Sequence, residues 1–597
     1  MGFFNLKGTL RPLTSLKQFA KPPHTIRYPE VPVEASDRYR GFHFNEIEDC
    51  IGCGNCSTIC MNDAIDMTIV DQVKGEKGDS GLRPRVDYGR CCYCALCVDV
   101  CPTGSLSLTK DFVNVTNDPN TQLVTPGIDN PEGKDRVSYS SSVEWSLNHF
   151  TRIPMPELEG MERVKSFAEV VLGYSEEQAR EEAQRCISCG ICTEVCPDHM
   201  HIPEYINAIA KGDDEDALRI IYDNNPLPEM CGKVCTRRCE DVCAIATRGE
   251  PVAIRWLKRY ATEAADASDV TRDIVNPEIR EPNGKKVGII GAGPAGLTAG
   301  YYLALRGYDV TIWEANAKAG GMTMYGIPKY RLPIESLEKQ IGYIQSIGVK
   351  INFNTKVGKD ISFKEIYENN DAVFIGVGFP KAWTLGIEGE EATGSMQAVN
   401  YLHMINSGES VEIGDKVAVI GGGNVAIDAA RVSRRFGADV TMLYRRRVKD
   451  MPADWEEIEG AEEEGVKYEP QAIPIKIHTD ENGKVNAVEY LKAEMVQSEG
   501  GGRPRPVAIE GSNTIMPVTA VMAAIGQQGD YTFLDEYTDK VKVERGRFVV
   551  DDKQQTTLPR LFAGGDSANR TADAISAIAD GFRACKAIDE MLMNKDR

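Results

Sequence analysis

The chain has 597 residues, too many for a single core, with 42% hydrophobic residues, 26% charged residues and a net charge of −21. That balance suits soluble globular protein in three or more domains, and it argues against nucleic acid or an anionic membrane as the main partner. No apolar run is long enough to span a bilayer.

The opening "MGFFNLKGTLRPL" lacks the apolar stretch and small-residue cleavage site of a signal peptide. Gly2 suits myristoylation, but Leu6 stands where Ser or Thr is required. A cytoplasmic location is expected. Eighteen cysteines in a large chain of this kind read as metal ligands rather than disulfides. Seventeen lie between Cys50 and Cys243 and only Cys585 lies beyond, which divides the chain into a cysteine-rich and a cysteine-poor half.

Cys50, Cys53, Cys56 and Cys60 form C-x2-C-x2-C-x3-C, and Cys91, Cys94, Cys97 and Cys101 repeat it. Three thiolates in a tight loop hold three corners of a cubane, and in two-cluster ferredoxins the fourth Cys of each run serves the other cluster. Cys50, Cys53, Cys56 and Cys101 are therefore assigned to one [4Fe–4S] cluster, and Cys91, Cys94, Cys97 and Cys60 to a second. Structural zinc is the weaker alternative, because zinc sites favour two separated C-x2-C pairs. Met61 replaces the proline usual after the first run, and Cys92 falls outside the spacing as a packed or spare thiol. The flanks "LKQFAKPPHTIRYPE" and "YRGFHFNEIEDC" resemble the entry to the two-cluster ferredoxin subunit of respiratory complex I and related hydrogenases. That resemblance implies an electron relay between subunits.

Residues 113–150 are polar, rich in Pro, Gly, Asn and Ser, and read as a linker. Ser175 and Gln178 then form a capping box ahead of an amphipathic helix that delivers Cys186. Cys186, Cys189, Cys192 and Cys196 repeat the cubane spacing, and Cys231, Cys235, Cys239 and Cys243 follow at intervals of four. Such intervals put thiols on one face of a helix, although a looped path serves equally. Eight cysteines suit two further clusters.

"RCISCGICTEVCP", "CGKVCTRRCEDVC" and "EPVAIRWLKRY" resemble the N-terminal iron–sulfur domain of the glutamate synthase small-subunit family. That family includes dihydropyrimidine dehydrogenase and the large subunit of NADH-dependent reduced ferredoxin:NADP+ oxidoreductase. The resemblance runs from about residue 150 to the end. It implies that Cys186, Cys189, Cys192 and Cys243 hold one cluster, with Cys196, Cys235 and Cys239 at three corners of the other. Some relatives fill the last corner with Glu or Gln where Lys258 stands here. A cationic lysine cannot ligate, so Cys231 is taken as the substitute; a small buried hydrophobe is the alternative. His199 and His201 are read as loop histidines.

"KKVGIIGAGPAGLTAGYYLALRGYDVTIWEA" reads as strand, glycine turn, helix and a second strand ending in an acid. Gly291 makes the turn, Gly293 lets a pyrophosphate approach, and Gly296 lets helix pack on strand, with Pro294 and Ala295 opening the helix. Glu314 is placed for a ribose hydroxyl. A second copy uses Gly421, Gly423 and Ala426, with Asn424 and Val425 at the mouth, and its second strand ends in Tyr444, Arg445, Arg446 and Arg447. Arginines there suit a 2′-phosphate, so the nicotinamide is read as NADP; a solvated basic patch is the alternative.

"LFAGGDSANRTADAISAIADG" resembles the C-terminal flavin motif of two-dinucleotide reductases, which implies that Gly565 and Asp566 face the ribityl chain of FAD. "GGMTMYGIPKYRLP" resembles the family's flavin-side signature and brings in Gly321 and Arg331. No cysteine occurs between Cys243 and Cys585, so no redox dithiol sits beside the flavin, and a thioredoxin- or glutathione-reductase reaction is excluded.

The expected architecture is multidomain α/β. It comprises a ferredoxin-like two-[4Fe–4S] domain (1–112), a linker (113–150), a helical two-[4Fe–4S] domain (151–275), and two Rossmann-type domains, an NADP domain (399–515) inserted in a split FAD domain (276–398 and 516–597). The cofactors expected are FAD, NADP(H) and four [4Fe–4S] clusters. Hydride passes between NADP(H) and FAD, and single electrons pass through the clusters to another redox subunit, with ferredoxin among the candidate partners. Transhydrogenase, electron-bifurcating, hydrogenase and formate dehydrogenase complexes are the settings considered. A glutamate synthase small subunit and a wiring scaffold without nucleotide activity are the alternatives. No side-chain acid or base is nominated.

Overall fold

Structure is described by a computed structural model for residues 35–36, 39–75, 78–111, 116–130, 137–140, 150–247, 249–266, 274, 279–497 and 504–593. The chain divides into two units, residues 1–147 and 148–597.

In the first unit the repeat of cysteine spacing is matched by a repeat of structure. Strand β1 (His43–Asn45) precedes a one-turn helix α1 (Asn55–Thr58), followed by β2 (Ile65–Ile69) and β3 (Leu82–Asp87). A second one-turn helix α2 (Leu96–Asp99) and β4 (Leu106–Thr109) complete the repeat. Both helices start from a left-handed residue, Gly54 at φ 78° and Ala95 at φ 70°. That conformation turns the cysteine loop sharply into the helix, and glycine adopts it without the Cβ penalty that Ala95 bears. β1 pairs with β4 and β2 with β3, both antiparallel.

The expected linker at 113–150 is partly built into this unit. Strand β5 (Leu123–Val124) pairs with β3, and β6 (Val137–Ser140) pairs with β4. Each occupies a sheet edge whose backbone groups need partners. Tyr139 fixes β6 further by donating to Asp99 at 2.7 Å and lying under the Arg40 guanidinium. The unit thus runs on to residue 147, not 112.

The second unit opens with helices. Helix α3 (Glu176–Gln184) begins at the expected capping box: Ser175 Oγ accepts from the Gln178 N–H, and Gln178 Oε1 accepts from the Ser175 N–H. Helices α4 (Ile202–Lys211), α5 (Asp214–Tyr222), α6 (Pro228–Val234) and α7 (Ile254–Asp266) follow. Their apolar faces share one core with Cys192, Cys196, Cys231 and Cys235. Glu182 and Arg185 are fully buried and paired at 2.6 Å; between them they bind the backbone of residues 150, 153, 250, 251 and 253. A buried ion pair is tolerated when its remaining polar atoms are satisfied, and this one clamps two distant segments beside Cys186.

Among the described residues the cysteine-poor half is framed by two five-stranded parallel sheets, with an antiparallel sheet between residues 472 and 517. β7 (Lys286–Ile290), helix α8 (Pro294–Leu305), β8 (Asp309–Trp313), β9 (Lys350–Asn352) and β10 (Ala372–Ile375) build the first. The second contains β11 (Ser395–Gln397), β12 (Lys416–Ile420), β13 (Asp439–Tyr444), β14 (Lys467–Pro470) and β15 (Ala520–Ala523), in the order β11-β15-β12-β13-β14. Helix α9 (Ala398–Asn406) follows β11, and α10 (Asn424–Arg435) joins β12 to β13. Strand β16 (Leu561–Ala563) then returns to pair with β10, giving the first sheet the order β16-β10-β7-β8-β9. The two crossings between the sheets lie side by side as an antiparallel ribbon, Lys381–Ala382 with Gln527–Gln528. The second sheet is wider than the expected 399–515, because β11 and β15 fall outside those bounds. The short β11 carries no glycine-rich dinucleotide turn to announce it.

Helix α11 (Ala574–Met593) packs along α8. At Gly581 a Cβ would lie 2.3 Å from the Ala295 carbonyl oxygen and 3.1 Å from the Ala299 nitrogen. Gly581→Ala is predicted to wedge the two helices apart, destabilising the unit by about 1–3 kcal/mol. A lowered denaturation midpoint and reduced flavin content on purification would report it.

Candidate functional site

Four groups of thiols are gathered. Cys50, Cys53, Cys56 and Cys101 line one small cavity, walled by Ile51, Met67, Pro84 and Leu106. Cys97 sits in the field of Cys91, Cys94 and Cys60. These are the two interleaved sets expected from the spacing. Backbone N–H groups point at sulfur, from Ala64 to Cys60 and from Tyr93 to Cys91, and His43 Nε2 lies 3.2 Å from Cys97 Sγ. Cys92 is exposed and belongs to neither set, as does Met61, 91% exposed.

In the second unit Cys186, Cys189, Cys192 and Cys243 line a cavity with Pro203, Ile206, Ile245, Val252 and Ile254. The remaining four, Cys196, Cys231, Cys235 and Cys239, all lie within electrostatic reach of the Lys258 side chain. The four-residue spacing uses both paths foreseen for it. Cys231 lies within α6 and Cys235 caps it, one turn on; Arg237, at φ 46°, then breaks the run so that Cys239 starts afresh on a short helix. Cys585 is buried in α11, apart from these groups.

The donor sets fit cubane clusters. Burial, with neighbouring thiols adding, pushes Cys97 up to about 12, and burial does the same to Cys186. Metal binding needs thiolates, and iron held here would supply the positive charge that lets such crowded sulfur ionise.

Gly291, Gly293, Pro294, Ala295, Glu314, Gly321, Gly565 and Asp566 line a cleft of about 710 Å³ beside the first sheet, within the range of cofactor pockets. Gly291 has φ 96°, and a Cβ there would strike the Gly376 oxygen at 2.6 Å; at Gly293 nothing lies closer than 3.8 Å. The first glycine is held by the turn while the second leaves an open face above the α8 N-terminus, which suits a pyrophosphate. Gly296 lies behind, its missing Cβ 2.0 Å from the Gly291 oxygen. Glu314 is buried, with Oε2 accepting from the Ala292 N–H and Oε1 from the Asn316 N–H, both at 2.8 Å. These residues fit FAD.

Arg331 does not line this cleft. Its guanidinium is bound to Asp428 and Glu457, each at 2.8 Å, which draws it to the second sheet's helices. Two residues that sequence reasoning missed do line the cleft, His403 and Asp573. His403 arrives on α9 and stacks on Tyr325, ring centroids 4.4 Å apart. Asp573 caps α11, accepting from the Ser576 N–H at 2.8 Å, and pairs with Arg238, the neighbour of Cys239. The cap was visible as Asp three residues ahead of Ser576, but its ion pair is a tertiary contact.

At the second turn Gly421 has φ 149°, with a Cβ 2.4 Å from the Ala524 oxygen, whereas Gly423 faces open space. Ala426 is fully buried, Val425 half-buried, and Asn424 exposed with Oδ1 accepting from the Asp454 N–H. Arg447 is taken by Asp450 at 2.7 Å. Arg445 is exposed, and Arg446 has a buried Nε without a hydrogen-bond partner. An orphaned buried donor beside a free guanidinium fits the 2′-phosphate of NADP.

Three family profiles match the chain: 4Fe-4S dicluster domain over residues 49–105, dihydropyrimidine dehydrogenase domain II, 4Fe-4S cluster, over 163–270, and pyridine nucleotide-disulphide oxidoreductase over 285–581. The chain is 37% identical over 429 residues to the NADPH-Fe(3+) oxidoreductase subunit beta of Geobacter sulfurreducens, covering 67% of this chain and 63% of that one. It is 38% identical to the NADP(+)-dependent formate dehydrogenase subunit beta of Moorella thermoacetica, covering 67% and 60%. These two relatives are thus spanned over less than two thirds of their length. The glutamate synthase [NADPH] small chain of Escherichia coli (strain K12) is 34% identical over 446 residues, 71% of this chain and 93% of that one. Among the described residues no helix is long and apolar enough to cross a membrane.

Asp566 offers a titration to follow. Burial, with Asp573 adding, pushes its carboxyl up to about 6 from the ordinary 3.8. The fold then favours the protonated acid, so its contribution is full below about pH 4 and is lost as pH rises through 6. In flavin-free protein, stability relative to Asp566→Asn is predicted to fall by on the order of 2 kcal/mol across that window. Denaturant titrations of both proteins at several pH values measure it.

Proposed function

Because this chain belongs to the glutamate synthase small-subunit-like family of NADPH oxidoreductases, we propose that it is the NADP(H)-reacting flavin and iron–sulfur subunit of a larger electron-transfer complex. One observation carries the reading: four groups of four cysteines share a chain with two dinucleotide turns, and no cysteine lies between Cys243 and Cys585. A flavin with no dithiol at its side has the thiol-bound centres as its only protein route for electrons.

Bound FAD and clusters supply the chemistry, a hydride's electron pair becoming two single-electron transfers with release of one proton. The chain's own residues hold and orient. Arg445 and Arg446 grip the 2′-phosphate, and the turns at Gly291 and Gly421 admit the two pyrophosphates. Glu314 serves the adenosine ribose of FAD, and Asp566 the ribityl chain. Sixteen cysteines in the sets given above hold four [4Fe–4S] clusters. The link from Asp573 in the flavin cleft through Arg238 to Cys239 supports the group containing Cys239 as the first to receive electrons.

The added dicluster module favours delivery to a separate redox subunit. An NAD-, NADP- and ferredoxin-linked transhydrogenase, with or without bifurcation, or a hydrogenase or formate dehydrogenase assembly is the proposed setting. A glutamate synthase small chain is the second reading, favoured by the Escherichia coli relative. Co-purification of the native complex separates them: an amidotransferase chain as partner would overturn the first reading.

Replacing Arg445 and Arg446 with neutral residues is expected to raise the KM for NADPH at least tenfold and leave that for NADH nearly unchanged. Charge-assisted contacts contribute about 1.5–3 kcal/mol each. Steady-state dye reduction with both nucleotides measures it. A chain beginning at residue 148 is expected to retain NADPH–dye activity and lose electron delivery to the native partner. Full-rate reduction of the partner by that truncated chain would overturn the first unit as outlet.

A further inference from the structure

The buried Arg83 near Cys50 and the buried Arg185 near Cys243 are paired with Asp79 and Glu182, but the cation behind Cys196, Cys231, Cys235 and Cys239 has no such acidic partner among the described residues. Lys258 is 5% exposed and lies within α7, which packs against α6. The two helices touch because Gly232 has no side chain: a Cβ there would lie 2.7 Å from Arg259 Cα and 2.8 Å from its nitrogen. This crossing brings together the turn that carries Cys231 and the turn that carries Lys258. Cys231 is 0% exposed and out of contact with bulk water.

The neighbours of Lys258 on the same helix are neutralised. Arg255 pairs with Glu456, and Arg259 with Glu263 and Glu169. Among the described residues no carboxylate forms an ion pair with Lys258. A buried carboxyl within electrostatic reach, Asp198, accepts no hydrogen bond at either oxygen. The buried Lys258 side chain lies within electrostatic reach of Cys235, Cys231, Cys196 and Cys239. An ammonium carries donors and no lone pair, so in this state it is a charge beside the sulfurs and not a ligand.

Resting on the ligand reading above, we propose that Lys258 sets the reduction potential of the cluster held by Cys196, Cys231, Cys235 and Cys239, as a fixed positive charge buried against its thiolates. Reduction adds one negative charge to a cluster. A cation enclosed with it in low dielectric stabilises the reduced form more than the oxidised one, and so raises the potential. The position gives this consequence direction: Arg238, beside Cys239, is paired with Asp573 of the flavin cleft. A raised potential makes this group a downhill acceptor for electrons leaving the flavin.

The test is an anaerobic redox titration of the full chain followed by electron paramagnetic resonance, comparing wild type with Lys258→Met, Lys258→Gln and Lys258→Arg. The neutral variants are expected to lower this cluster's reduction equilibrium constant at least tenfold, 59 mV for a one-electron couple, with the other three centres unmoved. Lys258→Arg is expected to stay near the wild-type value. An unchanged potential in the neutral variants, or an equal fall in Lys258→Arg, would overturn the proposal. If the neutral variants lose this cluster while Lys258→Arg keeps it, the requirement for a cation is upheld. If all three lose it, Lys258 supplies packing and the proposal fails. The ligand reading is tested apart, by iron and sulfide content of the wild type and by the loss or shift of this signal in Cys231→Ser.

Discussion

Sulfur can be held as a thiolate inside a protein only against positive charge, and the cysteine-rich half of this chain is built on that constraint. Many of its thiols are crowded and removed from water, and burial pushes those of Cys97 and Cys186 up to about 12. Iron bound there would supply the positive charge that thiolates need, with protons released as the ligands bind. Cys192, Cys196, Cys231 and Cys235 are members of the same apolar core as the helices around them, and Cys97 belongs to the core of the first unit. The metal centres are thus interior packing as well as redox chemistry, and the stability of these regions is inseparable from their occupancy.

The dinucleotide half solves a different problem, the close approach of backbone to backbone. Gly291, Gly296, Gly421 and Gly581 each stand where a Cβ would enter a neighbouring main chain. Charge then fixes the second sheet's helices against the rest of the unit. Arg237 and Arg255 reach Asp454 and Glu456, and Arg331 reaches Asp428 and Glu457. Buried pairs of this kind add little net stability but penalise misalignment, since a displaced partner leaves a charge unpaired. In this network Arg331 has a scaffolding part in a motif that resembled a flavin signature.

Much of the candidate site was legible in the sequence because its chemistry demands fixed local spacing. Cysteines at intervals of three trace a loop around a cube, and a glycine turn between an apolar strand and a helix has few other uses. Ser175 with Gln178 was legible for the same local reason. What escaped was tertiary. Leu123–Val124 and Val137–Ser140 sit in polar surroundings with no alternation to mark them, and become strands only because sheet edges need partners. The bounds 399 and 515 missed Ser395–Gln397 and Ala520–Ala523, since neither short strand carries a turn motif. His403 enters the flavin cleft from the other sheet's first helix, and nothing within its own segment marks that destination.

The pairing of Phe374 in β10 with Phe562 in β16 joins residues 188 positions apart, and it imposes an order on biosynthesis. A ribosome delivers the chain from its N-terminus, so every strand of the second sheet has emerged before Leu561–Ala563 exists. The helical cysteine module and the inserted sheet have their own strands and helices in hand while the first sheet still lacks its edge. Closure of that sheet, the docking of α11 on α8 and the completion of the cleft at Gly565 and Asp566 therefore come after the whole inserted sheet has been synthesised. Such long-range closure is slow relative to local folding, and until it occurs β10 presents an unpaired apolar edge to the cell.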